Sequence, residues 1–389
     1  MELRQLTLEE FDQSMDLSSF AFQYPVSEDE RESRRKLFKP ERIWGYFELG
    51  QLMAKAGLLP FTAWIQGKAY AMGGIAGVAT WPEYRRRGLV AGLLKHLLQN
   101  MRDQGYSVSF LHPFEFSFYR KYGWETYCEY KNCTIETSKL PERTLYPGRI
   151  ERIQQDASRL NPIYEQYASK FSGTIHRDAD WWEQAVFARK GGQIAVYSDS
   201  KGEDQGYVLY EVKERKFHIR ELAALNDEAE NALWTFIANH DSMIEKVEFR
   251  APVSDGLSFK LSNPRIRQEI TPYFMARIVD MDTFLQAYPF LPSNDEEFIS
   301  IQVRDEHASW NEGVRMLRLG SGGQVTLLES GPNETPALQA DIQSWTALFM
   351  GYKRPAELHR IGRLQGALED VLRLDKRIPA KETYLMDFF

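Results

Sequence analysis

Residues 78–101, VATWPEYRRRGLVAGLLKHLLQNM, force a strand to give way to a helix through a basic glycine turn. The opening residues are small or β-branched and Pro82 breaks the run. From Leu89 onward, Leu93, Leu94, Leu97, Leu98 and Met101 recur on one face at helical spacing. A strand ending near Thr80 and a helix starting near Gly88 leave the amides of residues 85–90 as an open ring of donors at a helix N-terminus. The macrodipole favours an anion there. Gly88 has no Cβ to hold a ligand off, and Arg85, Arg86 and Arg87 add charge that a diphosphate can use. The competing reading is a solvated basic cluster that happens to precede an amphipathic helix.

The chain has 389 residues, too many for one ordinary core, and implies two or three domains. Up to about residue 140 the pattern alternates. Helices are expected at LTLEEFDQSMDLSSFAF and DERESRRKLF, strands at GLLPFTAWIQ and YAMGGIAGVATW, and then come the basic turn and its helix. Another strand at YSVSFLHPF, a short helix at FSFYRKYGW and a last strand at YKNCTIETS complete the unit. Prolines and a glycine in LPERTLYPG mark a linker, after which a second α/β stretch repeats the element order without visibly repeating the residues. A third stretch begins after Pro289 and Pro292. It offers strands at FISIQVRD, VRMLRLG and QVTLLES, a helix at ADIQSWTALFMG, another through PAELHRIGRLQGALEDVLRL, and an apolar tail ending MDFF.

Composition removes some functions. A net charge of −7 argues against a nucleic-acid binder. No segment approaches the uninterrupted apolar length of a membrane span. The charged start MELRQLTLEEF has no secretory h-region, and Cys128 and Cys133 lack the partners of a zinc site or a disulfide framework. We therefore expect a cytoplasmic protein with no metal, no nucleic-acid partner and no membrane span.

The segment from Arg85 to Val90 resembles the signature of the GNAT family of acyl-CoA-dependent N-acetyltransferases, Arg/Gln-x-x-Gly-x-Gly/Ala after a strand; Val90 departs from the small final residue. The resemblance implies that Arg85, Arg86, Arg87, Gly88, Leu89 and Val90 bind the pyrophosphate of acetyl-CoA as cosubstrate. It also implies that the strand end Val78, Ala79, Thr80 pairs with the pantetheine arm through the backbones of Val78 and Thr80. Downstream, Tyr119 and the turn Tyr122-Gly123-Trp124 match the family's short helix, whose tyrosine protonates the departing CoA thiolate. A phenol beside a sulfur anion suits that task. Direct transfer also needs a base, and MGGIAGVAT carries no glutamate where many of these enzymes place one.

Across its full length the chain resembles the Eis-like bacterial acetyltransferases. The resemblance implies an α/β (α+β) fold of two tandem GNAT-like mixed-sheet domains, catalytic over 1–147 and degenerate over 148–284, followed by a smaller sterol carrier protein-like α+β domain over 285–389. In such proteins the terminal α-carboxylate is the base, and here that position is Phe389. An ionised carboxylate on an apolar tail is physically suited to the role. His112 and Glu115 are reserve bases. Where the middle unit would need a phosphate loop it reads ALNDEAENALW, and carboxylates there repel pyrophosphate. Trp181 and Trp182 read as packing, Trp345 to Met350 as core, and SFAFQYPVSE as substrate lining. The implied activity is acetyl-CoA-dependent acetylation of a primary amine on a small molecule or lysine side chain, aminoglycosides among the possible acceptors, by a homo-oligomer, hexameric in similar proteins. The alternative is a noncatalytic acyl-CoA or lipid-binding scaffold.

Overall fold

The computed structural model describes residues 1–328 and 336–389, so the last two residues of QVTLLES lie outside the described residues. The first part of the chain forms β1 (Glu2–Gln5), α1 (Phe11–Phe22), α2 (Glu28–Lys36), β2 (Ile43–Glu48), β3 (Gln51–Ile65), β4 (Lys68–Thr80), α3 (Leu89–Asp103), β5 (Val108–Leu111), α4 (Phe116–Arg120) and β6 (Glu125–Thr126). β7 (Glu129–Glu136) follows. Then come β8 (Arg149–Ile153), α5 (Ala157–Ala168), the single turns α6 (Ala179–Trp181) and α7 (Ala188–Lys190) joined by a π-helical Trp182–Phe187, β9 (Gln193–Ser198), β10 (Asp204–Lys213) and β11 (Lys216–Ala224). α8 (Asp227–Ala238), β12 (Lys246–Ala251), β13 (Arg267–Pro272), β14 (Met275–Ile278) and α9 (Met281–Ala287) close that region. The last part carries β15 (Glu297–Arg304), β16 (Gly313–Leu319), β17 (Val325–Leu328), β18 (Leu338–Asp341), α10 (Ile342–Met350), α11 (Pro355–Arg360), β19 (Gln365–Gly366) and α12 (Leu368–Arg377). No helix among the described residues is long and apolar enough to cross a membrane.

Three mixed sheets result, ordered β1-β2-β3-β4-β5-β14-β6, β13-β7-β12-β11-β10-β9-β8 and β17-β16-β15-β18-β19. The first two are the same sheet twice, which bears out the tandem α/β reading. Strands nevertheless cross the expected 147/148 boundary in both directions. YKNCTIETS, expected as the last strand of the first unit, is β7 and lies in the second sheet, with Glu136 opposite Lys246 on β12 and Thr134 opposite Arg267 on β13. Its inward residues Cys133 and Ile135 join the second core, which fixes the register. The matching place in the first sheet is taken by β14, whose four residues are all buried between β5 and β6.

α3 covers one face of β3 and β4 and buries Leu89, Leu93, Leu94, Leu97, Leu98 and Met101. Each such side chain contributes roughly 1.5–3 kcal/mol relative to exposure. On the opposite face a single apolar core runs from Ala63, Met72 and Phe110 through Phe274 and Phe284 to Ile299, Trp345 and Phe389, so the first and third sheets share an interior. The buried pair Arg277–Asp305, with bonds of 2.8 and 2.7 Å, ties β14 to the end of β15. The helix expected through PAELHRIGRLQGALEDVLRL is two helices, because the chain pauses to pair Gln365 and Gly366 with Gln339 and Leu338.

Candidate active site

β4 is hydrogen-bonded to β3 along its whole length, from Lys68 opposite Ile65 to Thr80 opposite Ala54, with a bulge between Ala76 and Ala79. Its other edge is paired with β5 only from Met72 to Ile75. Beyond Ile75 the two parallel strands part and leave the edge Ala76–Thr80 unpaired on that side. The Trp81 amide donates to the Met53 carbonyl of β3 at 3.1 Å, so strand alternation turns the Thr80 amide into the gap. Thr80 Oγ1 is also buried without a partner among the described residues. Unmet polar groups of this kind cost about 1–3 kcal/mol each, so an extended ligand carrying amides complements the edge.

At the far end of the gap, Arg86 (φ +63°) and Gly88 (φ +78°) turn the chain into α3. A Cβ on Gly88 would meet nothing within 4 Å, so the left-handed backbone, rather than crowding, calls for glycine. Gly88 makes no side-chain cap and the first turn of α3 has no acidic residue, which leaves its leading amides open. Arg85, Arg86 and Arg87 are exposed and have no carboxylate partner among the described residues; Arg87 lies 5.1 Å over the Tyr84 ring. Leu89 is buried, and Val90 packs toward the α3 core instead of toward the open amides, which accounts for its tolerance at that position.

Tyr119 is 2% exposed on α4, with the rings of Phe114 and Phe118 each 5.2 Å away. Burial pushes its phenol well above the ordinary range, so it stays protonated. Its hydroxyl has no hydrogen-bond partner among the described residues. Glu115, a reserve base, is occupied as the N-cap of α4, accepting from the Ser117 amide at 3.1 Å. The His112 ring stands 4.9 Å from Phe388 and 5.4 Å from Phe274, and desolvation followed by the charge of Arg250 lowers its pKa.

The Phe389 ring packs 4.8 Å from Phe61 and 4.9 Å from Phe274. A Cβ on Gly74 would come within 2.9 Å of that ring, so the glycine on β4 makes room for the tail next to Ile75, where the strands part. The tail therefore reaches the first sheet at the closed end of the gap. On the same face a cleft of about 1110 Å³ is floored by Leu59, Phe61 and Trp181. Arg34, Lys39 and Arg42 line it together with Asp178, Asp180 and Glu165, the last already paired with His176 at 2.9 Å. SFAFQYPVSE does not line it; the Phe20 ring is tilted against Trp81 at 5.0 Å, and α1 contributes Phe11 and Met15 instead, because these face inward. Behind α1, Lys55 is buried and donates to Ser14 and Ser18, and desolvation lowers its pKa to about 7. The sequence gives no sign of Phe61 or Arg177 and leaves the direction of Asp387 open, since a β-strand aromatic or a single charge carries no local mark of its destination.

The second sheet repeats the parting. β11 pairs with β12 only from Lys216 to Ile219, and a cavity of about 820 Å³ opens beyond. Its helix is closed, however. Only Leu225 and Asn226 separate β11 from α8, and Asn226 caps the helix by accepting from the Ala229 amide at 2.9 Å. Asp227, Glu228 and Glu230 fill the first turn, with Glu228 bonded to the Tyr197 hydroxyl at 2.6 Å and Glu230 to Lys260 at 2.7 Å.

Residues 2–127 match an acetyltransferase (GNAT) domain, residues 173–278 match another, and residues 281–386 match a sterol carrier protein domain. A crystal structure from Enterococcus faecalis described as a probable N-acyltransferase is 32% identical, covers 100% of this chain and 99% of its own, and superposes with a TM-score of 0.93. An uncharacterized N-acetyltransferase of Streptomyces avermitilis is 27% identical over 87% of this chain and 86% of its own. N-acetyltransferase Eis of Mycobacterium tuberculosis is 24% identical over 77% of this chain and 76% of its own.

Proposed function

Because the chain belongs to the Eis-like GNAT N-acetyltransferases, two tandem GNAT domains followed by a sterol carrier protein domain, it is an acetyltransferase, and we propose that it moves an acetyl group directly from acetyl-CoA to a primary amine. The amine belongs to a small molecule or a lysine side chain. One observation carries the reading: an unpaired β4 edge leads without interruption from the open N-terminus of α3 to the ring of Phe389.

In this reading Arg85, Arg86, Arg87 and the amides at Gly88, Leu89 and Val90 hold the pyrophosphate, and Val78, Ala79 and Thr80 pair with the pantetheine arm. The Phe389 carboxylate takes a proton from the incoming ammonium, and the neutral nitrogen attacks the thioester carbonyl to give a tetrahedral intermediate. As that intermediate collapses the C–N bond is kept and the C–S bond breaks. Tyr119 gives its phenolic proton to the leaving sulfur, and the second proton shed by the nitrogen as it becomes an amide restores the phenol; burial among Phe114 and Phe118 keeps the phenol neutral and available.

The cleft supports an amine acceptor of limited positive charge. Asp178 and Asp180 can hold an additional ammonium, while Arg34, Lys39 and Arg42 in the same lining repel a polycation. By resemblance the protein acts in the cytoplasm as a homo-oligomer, a hexamer, which light scattering on the purified chain tests. A CoA-release screen over aminoglycosides, polyamines and lysine peptides tests the activity. Turnover with one amine class is expected, and acetyl-CoA binding without turnover on any amine overturns the reading.

A further inference from the structure

The last residues of the chain are held more tightly than a chain end ordinarily is. Three consecutive carbonyls are each taken by a different residue: Met386 by Lys190 at 3.0 Å, Asp387 by the Tyr273 hydroxyl at 2.8 Å and Phe388 by Arg189 at 2.5 Å. The Asp387 side chain, 2% exposed, accepts from Arg177 Nε at 2.9 Å, Trp181 Nε1 at 2.9 Å and the Tyr164 hydroxyl at 3.1 Å.

Behind Asp387 stands a fully buried guanidinium. Arg177 turns its other two nitrogens onto both oxygens of Glu221 at 2.8 Å each and lies 3.7 Å over the Tyr164 ring. Glu221 is bonded in turn to the Tyr207 hydroxyl and to Lys190. Two cations and two carboxylates therefore balance in the interior, and fork-to-carboxylate geometry fixes direction as well as charge. Trp181 joins this cluster to the cleft, because the indole that donates to Asp387 also packs edge-on against Phe61 at 4.9 Å. Every anchor comes from residues 164–273, the part of the chain that builds the second sheet and the strap leading back to the first.

We propose that Arg177 is a positioning residue for the transfer reaction: through Asp387 it aims the Phe389 carboxylate at the closed end of the β4–β5 gap, so that the second GNAT domain acts in catalysis as the clamp of the tail. The proposal rests on the reading of Phe389 as the base. With the carbonyls of 386, 387 and 388 and the side chain of 387 all fixed, only the last torsions of Phe389 remain, and its ring is held by Phe61 and Phe274. A base kept in register loses little on reaching the transition state, whereas one on a loose tail does.

Steady-state kinetics on the full chain test this, using Arg177→Met, Asp387→Asn, deletion of Phe389, and each substitution combined with the deletion, with folding checked by thermal melts. Asp387→Asn keeps the side-chain volume and decides the matter if Arg177→Met does not fold. We expect kcat at least about tenfold lower in each substitution with KM for acetyl-CoA within about twofold, and each double variant no slower than deletion of Phe389 alone. Folded Asp387→Asn with kcat within about twofold of the parent, in a protein that still depends on Phe389, overturns the positioning role alone. Losses that multiply in the double variants overturn it too. Indifference to deletion of Phe389 in the parent overturns the reading of the base, and the clamp falls with it.

Discussion

In the first sheet β4 and β5 separate after Ile75; in the second, β11 and β12 separate after Ile219. The strand orders match, so the parting belongs to the fold and does not by itself make a binding site. What differs is the helix at the far end. α3 begins at an uncapped, left-handed Gly88 beside three arginines without carboxylate partners among the described residues, whereas α8 begins at a capping Asn226 followed by three carboxylates in the first turn. Amides that one copy leaves for a ligand, the other satisfies with its own side chains. The second copy holds instead the buried cluster around Arg177, and its gap is bordered by Tyr384 to Phe388 of the tail.

Substitutions can break this contrast at either gap. Deleting Phe389 is expected to have the largest effect, a fall in kcat of about 10²–10⁴-fold with acetyl-CoA binding retained, measured by stopped and continuous CoA-release assays. Tyr119→Phe removes only the acidic proton from an otherwise intact aromatic cage. We expect kcat to drop about 10–100-fold with KM for acetyl-CoA unchanged, and the melting temperature to stay close to the parent's.

Gly88→Ala comes next. A side chain in the left-handed region costs roughly 1–2 kcal/mol, and KM for acetyl-CoA is expected to rise about tenfold while saturating turnover changes little. At the second gap Asn226→Ala is the mirror experiment. Losing the cap is expected to cost about 1 kcal/mol of stability, read in a denaturant titration, with KM for acetyl-CoA unmoved. A rise in KM there would mean that the second gap takes part in cosubstrate binding after all.

Some of this was legible in the sequence because its cause is local. The turn at 84–88 announces itself by a proline, a glycine and a following 3.6-residue periodicity, and α3 begins where that pattern places it. The short helix bearing Tyr119 was marked by its aromatic spacing and its Gly123 stop. The exchange of β7 and β14 between sheets was not legible: YKNCTIETS reads as a strand in either sheet, and only the pairing of Glu136 with Lys246 across more than a hundred residues decides which. The tail clamp was hidden for a similar reason. Arg177 and Asp387 are 210 residues apart, and a charge destined for the interior looks the same in sequence as one destined for solvent. Asp387, whose direction the sequence left open, points to Arg177, Trp181 and Tyr164 of the second domain.

Of the two like gaps, we propose, only the first takes acetyl-CoA. Isothermal titration of acetyl-CoA into the full chain, repeated with Gly88→Asp and with Asn226→Ala, tests it most directly. One site per chain is expected, lost in Gly88→Asp and unaltered in Asn226→Ala. Two sites per chain, or a site that survives Gly88→Asp in a folded protein, would contradict it.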